Sequence, residues 1–187
     1  MDLARFDNSA FDRGAGSVKE TMWVVMRAIF FHHFPVPAYS LRRAILKSFG
    51  AAVGAGVAIK PGVTITFPWK LSIGENSWLG EAAWLLNLAP ITIGKNVCIS
   101  QRAFLCTGNH DWSDPAFQLE VKPITIGDGA WICAQAFVCP GISVGANAVV
   151  TAGSVVTHDL PSDMICSGNP CEPIKPRHIR AENSADR

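Results

Sequence analysis

An aliphatic side chain returns at every sixth position from Ile126 through Ile132, Val138, Val144 and Val150 to Val156, without a gap. The same period runs earlier as Val53, Ile59 and Ile65, resumes after a two-residue slip as Ile73, Leu79 and Leu85, and resumes after another as Ile93, Ile99 and Leu105. Such a period belongs to a coil whose every side is one short strand plus one bend. Glycine falls one residue after the aliphatic position (Gly54, Gly74, Gly80, Gly94, Gly127, Gly145) or three after it (Gly56, Gly62, Gly129, Gly141, Gly153). Those backbone positions therefore need positive φ or leave no room for a Cβ. Pro61 and Pro140 share a slot and are each followed by glycine, marking equivalent corners.

Two residues before the aliphatic position the chain is small or aliphatic (Val57, Val63, Ile91, Val97, Ile124, Ala130, Ala136, Ile142, Ala148), so both slots face inward. The slot between them points outward and holds Thr64, Ser72, Trp78, Thr92, Phe104, Thr125, Trp131, Phe137 and Ser143. The pattern predicts an all-β solenoid, a parallel β-helix of hexapeptide repeats with about five coils pairing at about 4.8 Å. A polar, turn-rich stretch breaks the register and predicts a loop over 106–123 protruding from one corner. Segments 18–34 and 39–49 lack the period and suit two helices separated by Pro35 and Pro37. The expected organisation is a helical extension over 1–50, the β-helix over 51–160 and a C-terminal segment over 161–187.

A net charge of +1 with scattered Lys and Arg excludes a nucleic-acid footprint. Six cysteines form no CxxC pair and follow no signal-like segment, which predicts reduced thiols and a cytoplasmic protein. The apolar run 22–34 is broken by Arg27, His32 and His33 and is shorter than the roughly 20 residues of a bilayer span.

A solenoid filled with aliphatic side chains has no internal room for catalysis, so a site must lie on its faces, at its loops or between subunits. His110 lies in the long loop, and imidazole suits removal of a hydroxyl proton near neutral pH, which makes it the candidate general base. Asp111 or Asp114 is placed to orient it, although aspartates beside glycine, serine and proline also cap turns. Asn109, beside it, and Asp114, close behind, are candidates for contacting an acceptor. His32, His33, His158 and His178 receive no catalytic part, and no set of three ligands is spaced for a catalytic zinc, so no metal is expected. Cys133 and Cys139 read as packing, while Trp131 and Phe137, projecting outward from successive strands, suit an interface or ligand surface.

The runs Pro123-Ile124-Thr125-Ile126-Gly127-Asp128-Gly129-Ala130-Trp131-Ile132, Val138-Cys139-Pro140-Gly141, Thr151-Ala152-Gly153-Ser154 and Gly168-Asn169-Pro170 resemble the hexapeptide-repeat acyltransferases. With Phe67-Pro68-Trp69-Lys70-Leu71, Ile99-Ser100-Gln101 and Leu105-Cys106-Thr107-Gly108-Asn109-His110-Asp111, the chain is most similar to the colanic acid biosynthesis acetyltransferases over 49–177. The resemblance implies a left-handed β-helix, a homotrimer with active sites between subunits, and acetyl-CoA as co-substrate. It also implies that His110 deprotonates an acceptor hydroxyl, which attacks the thioester directly. Residue by residue it places Trp131 against the pantetheine arm, Ala134, Ala152, Gly153 and Thr157 along the groove, and Lys175 with Arg177 near the phosphates. By the same resemblance Glu172 stands where the family usually has a cation, and Asn87 falls where related sugar acetyltransferases often carry an acceptor-contacting asparagine.

The expected function is O-acetyl transfer from acetyl-CoA to a sugar or lipid-linked saccharide precursor of an exopolysaccharide. The rivals are a zinc carbonic-anhydrase-like β-helix, distinguished by metal content, and a non-catalytic solenoid module, distinguished by failure to bind acetyl-CoA. The helix carrying Trp23, Val24, Val25, Ile29, Phe30 and Phe31 either rests peripherally on a membrane, covers the end of the stack or packs between subunits.

Overall fold

The computed structural model describes residues 1–34, 36 and 38–179; Pro35 and Pro37, expected to separate the helices, and the tail from Arg180 onward lie outside the described residues. The core is a three-sided prism wound as a left-handed parallel β-helix. The first face stacks Ala52–Val53, Leu71–Ile73, Ile91–Ile93, Ile124–Ile126 and Ser143–Val144. The second stacks Ala58–Ile59, Trp78–Leu79, Cys98–Ile99, Trp131–Ile132, Val149–Val150 and Met164–Gly168. The third stacks Thr64–Ile65, Trp84–Leu86, Phe104–Cys106, Phe137–Val138 and Val155–Val156. Five turns are thus complete, and a sixth, outside the sixfold pattern, is begun by Leu160 bridging to Val144 and by Met164–Gly168. Cys171–Pro176 then folds back antiparallel on that last strand.

Rungs pair in register, Ile59 on Leu79 and Leu79 on Ile99, so each aliphatic side chain sits on its equivalent and is lost to solvent. The two glycine slots separate by cause. Every glycine three residues past the aliphatic position has positive φ, and so do Asn76, Ala82, Asn96, Arg102, Gln135 and Asn147 in the same slot of other coils. That slot is a left-handed bend which side chains tolerate at about 1–2 kcal/mol. At Gly74, one residue past the aliphatic position, a Cβ would lie 2.5 Å from the Gly94 carbonyl carbon and 2.6 Å from Lys95 N, both backbone of the next coil. Gly74→Ala is expected to cost about 3 kcal/mol, the upper end of overpacking, against about 1 kcal/mol for Gly153→Ala, and thermal unfolding of the two variants measures the difference.

Both two-residue slips and the long loop leave from one corner, between the third and first faces, at 66–70, 86–90 and 106–123. They build a shelf. Asn87, fully buried, accepts from Thr66 N at 3.0 Å and Phe67 N at 2.9 Å and donates to the Phe67 carbonyl, clamping the insertion one turn below. Thr107 repeats the device, donating to the Leu86 carbonyl at 2.8 Å while accepting from Ala89 N at 3.0 Å.

Before the coils, helix α1 (Ser17–Arg27) continues as a π-helical segment, Ala28–His33, and is followed by helix α2 (Tyr39–Ser48). They cover the open end of the stack, one of the placements expected from sequence. An uncovered first turn would present unpaired edge groups to other chains. Here the Ile65 carbonyl accepts from Trp23 Nε1 and Arg27, the Ile59 carbonyl from Arg42, and the Val57 carbonyl from Arg43, while Gly62 N donates to the Phe31 carbonyl. Among the described residues no helix is long and apolar enough to cross a membrane.

Candidate active site

The long loop begins as a hairpin in which Gly108–His110 pairs antiparallel with Leu119–Val121, His110 opposite Leu119. Alternation along the strand puts His110 on one side and Asn109 on the other. His110 lines a cavity of about 400 Å³ with Thr66, Phe67, Trp69 and Leu88 from the shelf, Trp23, Val24 and Arg27 from α1, and Phe6, Phe11 and Arg13 from the N-terminal arm. Asn109 instead lines a separate recess of about 300 Å³ with Lys122, Phe137, Cys139 and Thr157.

The imidazole is held by its own loop. His110 Nδ1 lies 2.8 Å from the Phe117 carbonyl oxygen, which can only accept, so Nδ1 carries the proton and Nε2 keeps its lone pair. The Phe117 ring stacks on the imidazole with centroids 4.1 Å apart and planes 5° from parallel, and Phe6 packs against it at 5.6 Å. Phe117 takes up positive φ, 54°, at the end of the turn that aims its carbonyl at the ring. Asp111 shapes that turn: its Oδ1 accepts from Ser113 N at 2.8 Å, Ser113 Oγ at 2.5 Å and Asp114 N at 3.2 Å. These bonds hold its carboxyl below the usual carboxylate range. Asp114 caps Ala116 N at 2.8 Å. The partner of the imidazole is therefore a backbone carbonyl, and both aspartates are spent on the turn.

Sequence reasoning gave no sign of the N-terminal arm. Asp2 N donates to the Pro115 carbonyl at 2.8 Å, Trp69 Nε1 to the Arg13 carbonyl at 2.7 Å, and Lys70 Nζ to the carbonyls of Asp12 and Leu88 at 2.7 and 2.8 Å. Arg13 pairs with Glu20 at 3.1 Å, whereas Arg27, its pKa lowered by burial, has no carboxylate partner among the described residues. Asn87, an expected acceptor contact, is wholly enclosed with its amide committed to Thr66 and Phe67, so it supports the cavity's floor from beneath.

The residues expected along a donor groove fall into two groups. Trp131, 44% exposed with its indole N–H donating to Ser100 Oγ at 2.8 Å, lies on the second face. Ala134, Ala152 and Gly153 form the corner after that face, joined by Gly153 N donating to the Ala134 carbonyl at 3.0 Å. Arg177 lies at the corner before it, where Nη1 donates to the carbonyls of Gly129 and Asn147 at 2.9 Å, and Lys175 is exposed on the adjacent returning strand. Thr157 stands apart, across the filled prism, beside the loop of His110. No cluster of three His, Cys, Asp or Glu suited to a metal occurs among the described residues. Burial pushes the thiols of Cys133 and Cys139 up, away from the thiolate a nucleophile needs.

Residues 123–158 match the family model described as hexapeptide repeat of succinyl-transferase. The chain is 39% identical over 177 residues to the "Putative colanic acid biosynthesis acetyltransferase WcaF" of Escherichia coli, covering 95% of this chain and 97% of the relative. A maltose O-acetyltransferase structure from Clostridium difficile superposes with a TM-score of 0.78 at 29% identity, covering 87% of this chain and 88% of the other. The hexapeptide-repeat acetyltransferase VCA0836 of Vibrio cholerae, complexed with acetyl coenzyme A, superposes at 0.79 with 24% identity and 93% coverage of both chains.

Proposed function

The chain belongs to the hexapeptide-repeat acetyltransferases, and from that footing we propose that it moves an acetyl group from acetyl-CoA to a hydroxyl of a sugar or lipid-linked saccharide precursor in exopolysaccharide assembly. The observation that carries this reading is the His110 imidazole, fixed by the Phe117 carbonyl as the tautomer with a free Nε2 and lining a cavity of saccharide size. The acceptor hydroxyl gives its proton to Nε2 as its oxygen bonds to the thioester carbonyl carbon; the C–S bond then breaks and the imidazolium returns the proton to the departing CoA sulfur. No acyl-enzyme forms. Aromatic walls from Phe6, Phe67 and Trp69 and the Arg27 guanidinium, which has no carboxylate partner among the described residues and spends one N–H on the Ile65 carbonyl, suit the apolar faces and hydroxyls of a sugar ring.

The assembly is a homotrimer in the cytoplasm. Support comes from the outward columns of the prism: the first face is polar, with Ser72, Thr92, Thr125 and Ser143, while the other two carry Trp78 and Trp131, and Trp84, Phe104 and Phe137. Apolar faces on a solenoid side are interface material. A seam between copies also unites the two groups of donor residues, the second-face side of one subunit meeting the His110 loop of another. CoA then runs past Trp131, Ala134, Ala152 and Gly153 towards Lys175 and Arg177, with Thr157 near the thioester.

Thioester release measured with free sugars, nucleotide sugars and serine tests the reading: saccharide-dependent release supports it, and release with serine alone or with none overturns it. Asp111→Asn separates two roles for that carboxylate. An aspartate acting on the imidazole would cost about 10⁴ in kcat when made an amide, whereas an Asn that still caps the turn is expected to cost less than about tenfold.

A further inference from the structure

Helix α1 carries two apolar faces, and the fold uses one. Trp23 is 1% and Phe31 0% exposed, and Met26 and Phe30 pack against the same core. On the opposite side Val18, Met22, Val25 and Ile29 are 73%, 56%, 51% and 48% exposed, spaced four, three and four residues apart, which is one continuous stripe of the helix. The helix already covers the end of the stack with its inner side, so packing on the coil does not account for the outer one.

Charge indicates what covers it. Between Ser17 and Gly50 the chain has five basic residues (Lys19, Arg27, Arg42, Arg43, Lys47) against Glu20 alone, while the rest of the chain has eleven basic against fourteen acidic residues. Glu20 is itself paired with Arg13, and the five cations of the cap make no ion pair among the described residues: Lys47 is exposed, while Lys19 over the Trp69 ring, Arg27 and Arg43 on coil carbonyls and the enclosed Arg42 act through the net positive field of the cap. A second copy of this cap would bring like charge against like. An anionic bilayer surface brings opposite charge and takes up the apolar stripe, the combination found in helices that lie in the interfacial plane.

We propose that the outer face of the helical cap docks the enzyme on an anionic lipid surface, Val18, Met22, Val25 and Ile29 entering the headgroup boundary with the exposed Lys47 of the cap meeting the lipid charge. The proposal does not depend on the identity of the acceptor. It has a consequence for the site, because Val24 and Arg27 of the same helix line the cavity of His110, so docking brings that cavity to the level of a lipid-linked saccharide. In a parallel trimer the three caps point the same way and dock together.

Flotation with phosphatidylglycerol-containing vesicles, with phosphatidylcholine vesicles as the neutral arm, tests this on the full chain. Wild type is expected to float with the anionic vesicles only and to be released as salt rises. The Val25→Glu, Ile29→Glu double variant is expected to lose binding by about tenfold or more, with unchanged thermal unfolding and unchanged size in solution, and Lys47→Glu is expected to weaken binding more modestly. Wild type that ignores vesicle charge or stays unbound overturns the proposal. So does a double variant that falls to a smaller species, since the stripe would then be a contact between copies. Acetyl transfer to a soluble acceptor is read separately in the same variant, so loss of docking and loss of activity are distinguishable.

Discussion

Replacing His110 with alanine is expected to lower kcat by about two to four orders of magnitude, the range for loss of a general base. Acetyl-CoA affinity should shift by less than about threefold, because the imidazole acts on the acceptor proton and not on ground-state binding of the donor. Titration calorimetry for the donor and steady-state kinetics for the transfer check the two halves. Unchanged turnover would remove His110 from the reaction, and a drop confined to KM would make it a binding group. Stability should change little, since the ring is only partly buried and its one hydrogen bond is to Phe117 within the same loop.

Arg42→Met is expected to destabilise the protein by about 3–5 kcal/mol, the cost of breaking a buried charged network from one side. The guanidinium is fully enclosed and donates through Nε to the Phe30 carbonyl at 2.9 Å, through Nη1 to Ile59 at 3.1 Å and through Nη2 to Phe34 at 2.6 Å. It ties α2, the π-helical turn and the first coil at one point, and burial lowers its pKa. Methionine fills similar volume but leaves three carbonyls without a donor. A loss of this size is about a fifth or more of the about 5–15 kcal/mol that holds a domain folded. Urea unfolding measures it, and a loss below about 1 kcal/mol, the worth of a single ordinary hydrogen bond, would mean that water replaces the guanidinium. Because Trp23 and Arg27 belong to the same cap and line the cavity, the acceptor KM should rise before the coil itself melts.

The β-helix was legible because its physics repeats: the same slot faces inward in every turn, so period, glycine placement and burial report one another. Gly74 and Gly153 illustrate the limit, since the sequence marks both as special and only the stacked coils show that one lacks space and the other adopts positive φ. The sixth turn, at Leu160 and Met164–Gly168, was not legible, because its spacing departs from the period and its place is set by pairing with the turn before. In the site, His110 stood out as the histidine of the long loop, but the carbonyl that fixes it belongs to Phe117, where side-chain chemistry gives no hint. The arm from Asp2 to Arg13 was invisible for a similar reason: its bonds to Pro115, Trp69 and Lys70 are long-range contacts that no local pattern encodes. Left-handedness came from family resemblance, since the period is the same for either hand.

The most direct test of the account is a crystal structure of the assembled protein with CoA and a saccharide acceptor. It should place an acceptor hydroxyl within about 2.6–3.2 Å of His110 Nε2, in the cavity between arm and shelf, with the CoA sulfur reaching the same hydroxyl along a seam between subunits. An acceptor bound outside that cavity, or an imidazole whose Nε2 faces away from both molecules, would contradict it.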